Sequence, residues 1–302
     1  MTRDGLIVFG VLSDNLFILD PKGKLKASTN PGSWVFSTPV IGPGNQIYVS
    51  CDDGRVHCMD ATGKILWTYR LSAESSSTPA LCNGHLYLGA EDDGLHCLTD
   101  TGKHRWKYNT RGRILFSSPG LDSQGNIYIG DENNILHAVN PDGTPRWQFE
   151  AGSEISTTSP IITDNGVIIP AGPDITALDV QGKILWQKTL HEEVTGNPCL
   201  SPQGDLMAVP VLDGVLVIMD VKDGKVTAKA KVAGNLQASA VADSQGRIYI
   251  VGDKGPIVAG WDGRILHKAL LEKGGPFRGD PVITPKGQLI FGGMDGILYC
   301  FE

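Results

Sequence analysis

The sequence predicts an all-β protein, an eight-bladed β-propeller assembled from four-stranded repeats of about forty residues. Three observations predict this fold. A short apolar pattern recurs at intervals of 39 to 42 residues through the whole 302-residue chain. Turn residues, chiefly Gly, Asp and Pro, separate the apolar runs. No stretch has a helical periodicity of useful length.

Each repeat contains four short β-runs, named strands A to D in chain order. Strands B and C are the clearest, and each occurs eight times. The copies of strand B begin at Ile7, Ile47, Leu86, Ile127, Val167, Leu206, Ile248 and Leu289. The copies of strand C begin at Leu16, Val56, Leu95, Ile135, Ile175, Leu216, Ile257 and Leu298. A single sheet of this kind cannot bury both of its faces alone, but successive sheets that pack face to face around an axis bury one another.

Strands A and D have seven copies each. Strand A follows a proline at Pro39, Pro79, Pro119, Pro160, Pro198 and Pro281, with Ala240 in the equivalent place. Strand D follows a turn containing Gly, most often Gly-Lys, and carries a tryptophan at Trp67, Trp106, Trp147 and Trp186. The glycine permits positive φ. The indole offers a large flat face, so these four residues are predicted to dock each blade on its neighbour.

The unequal counts of strands decide the number of blades. The chain begins at strand B and ends after strand C, which predicts eight blades with three strands in the first and the last. The alternative is seven blades with an unpaired pair of strands, which is disfavoured because exposed strand edges promote aggregation. Residues 1–302 are therefore expected to form a single domain, either complete or trimmed from a longer chain.

Composition restricts the function classes. The chain has 26 basic and 33 acidic residues and a net charge of −7, which argues against a nucleic-acid-binding surface over the whole protein and leaves a local basic patch as the alternative. No apolar run approaches the roughly 20 residues of a membrane span. Residues 1–5 lack a signal peptide, so we expect a cytoplasmic protein, or a periplasmic or extracellular one if a signal was removed. The six cysteines form no Cys-x-x-Cys pair and are interpreted as reduced, small buried residues.

The repeat also carries a family resemblance. The pattern Asp-x-x-Gly-Lys-x-x-Trp at residues 60–67 and 179–186 resembles the tryptophan-docking motif of pyrroloquinoline-quinone-type (PQQ-like) repeat propellers. The repeat architecture of these propellers is similar to that of WD40 proteins. The resemblance covers nearly all 302 residues. The family includes quinone-dependent dehydrogenases and non-enzymatic relatives, such as the propeller lipoprotein of outer-membrane protein assembly. The dehydrogenases typically have adjacent cysteines and calcium ligands beside a catalytic Asp. This sequence has no Cys-Cys pair, and no residues in it can be assigned as those ligands.

Candidate binding residues lie in two sets of connections. In an up-and-down blade, the D-to-A loops and the B-to-C turns emerge on the same face. The D-to-A loops carry aromatic and charged residues, which suit a peptide or a planar anionic ligand. The candidates are Trp34, Phe36, Glu74, Arg111, Arg113, Phe116, Glu154, His191, Glu192, Phe277 and Arg278. The alternative is that the phenylalanines plug the central channel and the charges are solvated.

Two further patterns are interpreted structurally. Acidic residues fill the B-to-C turns, as at Asp52 and Glu91, and turn chemistry explains them; the alternative is that they make this face negative and attract a basic partner. His57, His96 and His137 share one place in successive blades and are predicted to be packing residues, since equivalent positions lie too far apart to ligate one metal.

The function that we expect is a non-catalytic binding or scaffold module with a protein or peptide partner and no cofactor or metal. One alternative is an oxidoreductase that uses pyrroloquinoline quinone with calcium or another small ligand. Another is a sensor domain of a larger protein. The oligomeric state stays open.

Overall fold

A computed structural model of the chain describes residues 1–11, 14–232, 234–236, 238–271, 277 and 279–301. Within these residues the secondary structure consists of β-strands without helices, and the strands form eight antiparallel sheets. The predicted class is confirmed: the fold is an eight-bladed β-propeller. Contacts divide the chain into two compact units, residues 1–162 and 163–302, with β16 at the boundary.

The first unit holds four blades, in which each strand pairs with the next along the chain. The strands are β1 (Ile7–Gly10), β2 (Leu16–Leu19) and β3 (Leu25–Thr29) in blade 1; β4 (Val40–Ile41), β5 (Ile47–Ser50), β6 (Arg55–Met59) and β7 (Ile65–Arg70) in blade 2; β8 (Ala80–Cys82), β9 (His85–Ala90), β10 (Gly94–Thr99) and β11 (His104–Asn109) in blade 3; and β12 (Gly120–Leu121), β13 (Ile127–Gly130), β14 (Ile135–Val139) and β15 (Pro145–Glu150) in blade 4.

The second unit repeats the arrangement in blades 5 to 8. The strands are β16 (Ile161–Thr163), β17 (Gly166–Ala171), β18 (Asp174–Asp179) and β19 (Ile184–Thr189) in blade 5; β20 (Cys199–Leu200), β21 (Leu206–Val211), β22 (Val215–Asp220) and β23 (Val226–Lys231) in blade 6; β24 (Val241–Ala242), β25 (Ile248–Gly252), β26 (Gly255–Ala259) and β27 (Ile265–Lys268) in blade 7; and β28 (Val282–Ile283), β29 (Leu289–Gly292) and β30 (Leu298–Phe301) in blade 8. Blades 1 and 8 have three strands, as predicted.

The Asp-x-x-Gly-Lys segment builds the C-to-D turn. In blade 2, Asp60 Oδ1 accepts hydrogen bonds from the backbone N–H of Thr62 at 2.8 Å and of Lys64 at 3.1 Å. Gly63 takes φ +83°, a conformation that side chains disfavour. The strand register shifts just before this turn, between Cys58 and Met59, and an equivalent shift occurs in each of blades 1 to 7. The turn sequence therefore produces the same β-bulge in every C–D pair.

The core lies between successive sheets, where strands B and C of one blade face those of the next. In the first unit, Tyr48 and Val56 of blade 2 pack with Leu86 and Leu88 of blade 3. In the second unit, Leu216 and Ile218 of blade 6 pack with Ile248 and Ile250 of blade 7. Burying an aliphatic side chain of this size contributes about 1.5–3 kcal/mol, so these interfaces supply most of the apolar driving force.

Three of the four predicted tryptophans contact the next blade in their own unit. The indole Nε1–H of Trp67 donates to the Asp100 carbonyl at 3.0 Å, that of Trp106 to the Pro141 carbonyl at 3.2 Å, and that of Trp186 to the Val221 carbonyl at 2.9 Å. The ring of Trp67 also covers Gly102, where an added Cβ would lie 2.6 Å from an indole carbon. Trp147 lies in β15, with its ring centroid 5.7 Å from that of Tyr128.

The cysteines differ in part from the prediction. All six are free thiols, and Cys51, Cys58 and Cys97 are buried. Cys300 is exposed although it shares the repeat position of Cys58 and Cys97. In the described residues the sheet of blade 8 consists of β28, β29 and β30, so no strand D lies beside strand C there to cover this side chain.

Candidate interaction surface

Backbone hydrogen bonds place the D-to-A loop that enters a blade against that blade's own B-to-C turn. In the first unit, the N–H of Asp52 donates to the Trp34 carbonyl at 3.0 Å, and that of Glu91 donates to the Glu74 carbonyl at 2.9 Å. The N–H of Glu132 donates to the Arg113 carbonyl at 2.9 Å. We call the surface formed by loops 30–39, 71–79, 110–119 and 151–160 with turns 51–54, 91–93 and 131–134 the loop face.

Three aromatic side chains meet on the loop face and stay exposed. The Trp34 and Phe36 rings contact edge to face with centroids 5.8 Å apart, and Phe36 contacts Phe116 at 6.4 Å. Their exposed fractions are 46%, 42% and 51%. Phe36 and Phe116 come from loops two blades apart, so the fold brings them together. We call these three residues the aromatic cluster.

Three carboxylates lie between the two aromatic loops in blade order. Asp52, Glu74 and Glu91 come from the turn of blade 2, the next loop and the turn of blade 3. Burial raises the pKa of Asp52, and the neighbouring charges of Glu74 and Asp53 raise it further. Burial likewise raises the pKa of Glu91, with Glu74 and Asp52 contributing in the same direction. The three residues, which we call the carboxylate group, therefore repel one another.

Arg113 joins two neighbouring turns. Its guanidinium lies 3.1 Å from Glu91 Oε2 and 2.7 Å from Glu132 Oε2. Because the arginine is half exposed, these pairs contribute little to stability, but they hold the turns in place. Arg111 has φ +65°, unusual for a residue with a side chain, and its carbonyl accepts from Asn133 Nδ2 at 3.1 Å. The backbone of this loop is thus held in one conformation.

The residue before each strand-A proline, or before Ala240, forms a series of hydrogen bonds from blade to blade. In five of these residues the backbone N–H donates to the side-chain oxygen of the equivalent residue in the next loop. In the first unit the bonds run from Thr38 to Thr78 at 2.9 Å, from Thr78 to Ser118 at 3.0 Å and from Ser118 to Ser159 at 3.1 Å. In the second unit they run from Asn197 to Ser239 at 3.0 Å and from Ser239 to Asp280 at 2.9 Å.

The three equivalent histidines are buried, as a packing role requires, but each also makes polar contacts. His137 Nε2 lies 3.0 Å from Asp131 Oδ2, and His96 Nε2 lies 3.0 Å from Asp92 Oδ1. His57 Nε2 lies 3.0 Å from the Pro31 carbonyl. Two of the acidic B-to-C turns are thus fixed by a buried imidazole, and packing alone is an incomplete description.

The other candidate residues make contacts of their own. Glu154 is exposed and accepts a hydrogen bond from Ser156 Oγ at 2.6 Å. In the second unit, exposed His191 lies 3.2 Å from Asp213 Oδ2, and Glu192 beside it is half buried. Arg278 lies outside the described residues.

Phe277 is buried rather than presented to a ligand. It is 1% exposed, and its ring contacts Phe291 and Tyr299 with centroids 5.2 and 5.6 Å away. Its place in the repeat explains this. The residue four places before the strand-A proline, or before Ala240, is buried in six of the seven copies; these are Val35, Ser75, Ser156, Val194, Leu236 and Phe277. This repeat position predicts burial, and sequence reasoning did not use it.

Sequence reasoning favoured turn chemistry for Asp52 and Glu91, with attraction of a basic partner as the alternative. It missed the approach of these carboxylates to Glu74 and the polar residue before the proline. The first omission had no local signal, because the carboxylates approach Glu74 only through the packing of loops on turns. The second had one, since Thr, Ser, Asn or Asp stands at all seven places.

In the described part of the chain, no three His, Cys, Asp or Glu side chains are grouped as metal ligands, so no residues are assigned to a calcium ion. Nor do the described residues include a helix with the length and apolarity of a membrane span.

Comparison with solved structures places the fold among known propellers. The crystal structure of BamB from Moraxella catarrhalis is 20% identical and superposes with a TM-score of 0.70, over 87% of this chain and 81% of that one. The computationally designed Ika8 protein is 15% identical with a TM-score of 0.83, over 100% and 94% of the two chains. A europium-containing methanol dehydrogenase is 13% identical with a TM-score of 0.77, over 97% and 82%.

At these identities the structures establish the fold alone, and no curated protein sequence matches the chain. A sequence profile is more informative. The profile described as outer membrane protein assembly factor BamB matches residues 18–119 and 99–265. Because these matches span most of the chain and its PQQ-like repeats, the protein belongs to the family of outer membrane protein assembly factor BamB.

Proposed function

We propose that the protein is a non-catalytic scaffold that binds a protein partner through the loop face. The observation that carries this proposal is the aromatic cluster. Exposed aromatic rings that contact one another are typical of binding hot spots, because a partner that covers them removes a large apolar area from water. The family's description as an assembly factor is consistent with a protein that acts by binding other proteins.

Hydrogen bonds hold the backbone around the aromatic cluster in place, which favours binding. Ser37 Oγ donates to the Ser50 carbonyl at 2.9 Å, directly after Phe36, and the N–H of Phe116 donates to the Ser156 carbonyl at 3.1 Å. Since both loops are held in place before any partner arrives, less conformational entropy is lost on binding.

The proposal is tested by placing a photo-crosslinking phenylalanine analogue at Phe116 in the producing cells. The matched control carries the analogue at Leu66, which is 50% exposed on β7, away from the loop face. We expect a discrete crosslinked protein from position 116 that is missing from position 66. Equal products from both positions, or none from 116, would refute the proposal.

A further inference from the structure

The aromatic cluster and the carboxylate group each lack a partner, and the two missing partners are of different chemical kinds. The three aromatic rings lack an apolar cover, as their exposure shows. Two of the three carboxylates, in the part of the chain that the structure describes, lack a cation. Among the described residues no basic side chain forms an ion pair with Asp52 or Glu74, and Glu91 shares Arg113 with Glu132. Aromatic rings that need an apolar cover and carboxylates that need a cation therefore lie next to each other on the loop face.

The two features are adjacent because of the order of the blades. Trp34 and Asp52 are joined by a backbone hydrogen bond of 3.0 Å. The loop of Glu74 lies between the loops of Phe36 and Phe116 in chain order, and those two rings are in contact. A single side chain that enters from solvent can therefore approach the aromatic cluster and a carboxylate together.

We propose that this surface binds a segment of the partner protein in which an arginine is flanked by apolar side chains. The inference rests on the proposed function and names the chemistry of its partner. A guanidinium stacks on an aromatic face and at the same time pairs with carboxylates through a planar fork of donors. The flanking apolar side chains cover the remaining exposed ring area. A lysine fits less well, because its strongly hydrated ammonium does not stack in this way.

The charge balance of the surface supports a cationic occupant. The raised pKa values of Asp52 and Glu91 include repulsion from Glu74, and a bound cation would relieve that repulsion. An acidic segment would add to it. Arg113 does not alter this conclusion, because its guanidinium is occupied by Glu91 and Glu132.

The test uses fluorescein-labelled peptides of about ten residues, long enough to cross several loops. One alternates leucine with arginine, and the others replace arginine by lysine or glutamate, or leucine by serine. Fluorescence anisotropy with the full chain should show the tightest binding for leucine–arginine, and no binding for leucine–glutamate. The serine–arginine peptide measures simple attraction to an acidic protein, and its affinity should be lower by about tenfold or more.

Variants then assign the binding to this surface. Glu74→Gln should lower the affinity for the leucine–arginine peptide by about fivefold or more, because a charge-assisted pair is lost. Phe36→Ala should weaken it by about tenfold. The matched control is Asp142→Asn in the C-to-D turn of blade 4, where an amide oxygen can still accept from Thr144. Binding to this control should equal that of the unaltered chain.

The outcomes separate this inference from the proposed function. Equal binding by the Glu74, Phe36 and Asp142 variants would mean general charge attraction and would overturn the inference. Tighter binding of leucine–glutamate or leucine–lysine would overturn it as well. If no peptide binds while position 116 still crosslinks a protein, the inference fails and the proposed function stands. If position 116 crosslinks nothing, the proposed function fails first.

Discussion

Replacing Gly102 by alanine tests the contact between Trp67 and the next blade. Two costs are expected. At φ +82° a side chain is strained, by about 1 kcal/mol. The new methyl group would also lie 2.6 Å from an indole carbon of Trp67, and overpacking of this kind costs about 1–3 kcal/mol. We therefore expect Gly102→Ala to lower the free energy of unfolding by about 2–4 kcal/mol.

The chain provides a matched control at Gly23. This residue occupies the equivalent turn of blade 1 with φ +81°, and an added Cβ meets nothing within 4 Å. Gly23→Ala should therefore lower the free energy of unfolding through backbone strain alone, by about 1 kcal/mol. The difference between the two variants, about 1–3 kcal/mol, measures the steric contact with the indole.

Urea unfolding followed by circular dichroism gives both values, provided that the slopes are equal. A double-mutant cycle adds Trp67→Ala. In that background the steric part should vanish, and Gly102→Ala should cost as little as Gly23→Ala. Equal costs for the two single variants would refute the argument that the ring presses on the glycine. A Gly102 cost that persists without the indole would refute it too.

Two further predictions concern protons and cofactors. Burial lowers the pKa of His57 and His96 below the ordinary value of 6.5. Between the lowered values and 6.5 the unfolded chain binds more protons than the folded one, so stability should fall as the pH drops below about 6.5. Urea midpoints from pH 8 to 5 measure this loss, which His96→Gln should reduce; an unchanged pH profile in that variant would contradict the assignment. For the cofactor, we expect pyrroloquinoline quinone to leave the melting temperature unchanged with or without calcium. A saturable, calcium-dependent rise, equivalent to about 2.7 kcal/mol at a hundredfold excess over Kd, would favour the oxidoreductase alternative.

The fold was predictable because every element has its own local signal, repeated in register. Asp60, Gly63 and Trp67 specify a capped turn, a residue with positive φ and a flat side chain at fixed spacing, and the β-bulge before Gly63 follows from them. The unequal number of strand copies distinguished eight blades from seven. Local signals suffice here because each strand pairs with its neighbour in the chain.

The surface was less predictable because it depends on contacts between loops that are far apart in sequence. Phe36 and Phe277 look equivalent as loop aromatics, yet one is 42% exposed and the other 1%. The difference comes from Phe291 and Tyr299, which surround Phe277. Likewise, His137 and His96 share a repeat position but reach acidic residues six and four positions away. Such partners follow from the packed structure and not from the position in the repeat.

The hydrogen-bond series before the strand-A prolines has a consequence for how such a chain can grow. Each link joins a main-chain donor and a side-chain oxygen at the same repeat position, as Thr78 shows by accepting from Thr38 and donating to Ser118. A duplicated repeat inserted between two blades would bring its own donor and its own acceptor. The insertion would leave neither group unmatched, whatever the number of blades. Gene duplication could therefore lengthen the propeller one unit at a time without a compensating mutation at this position.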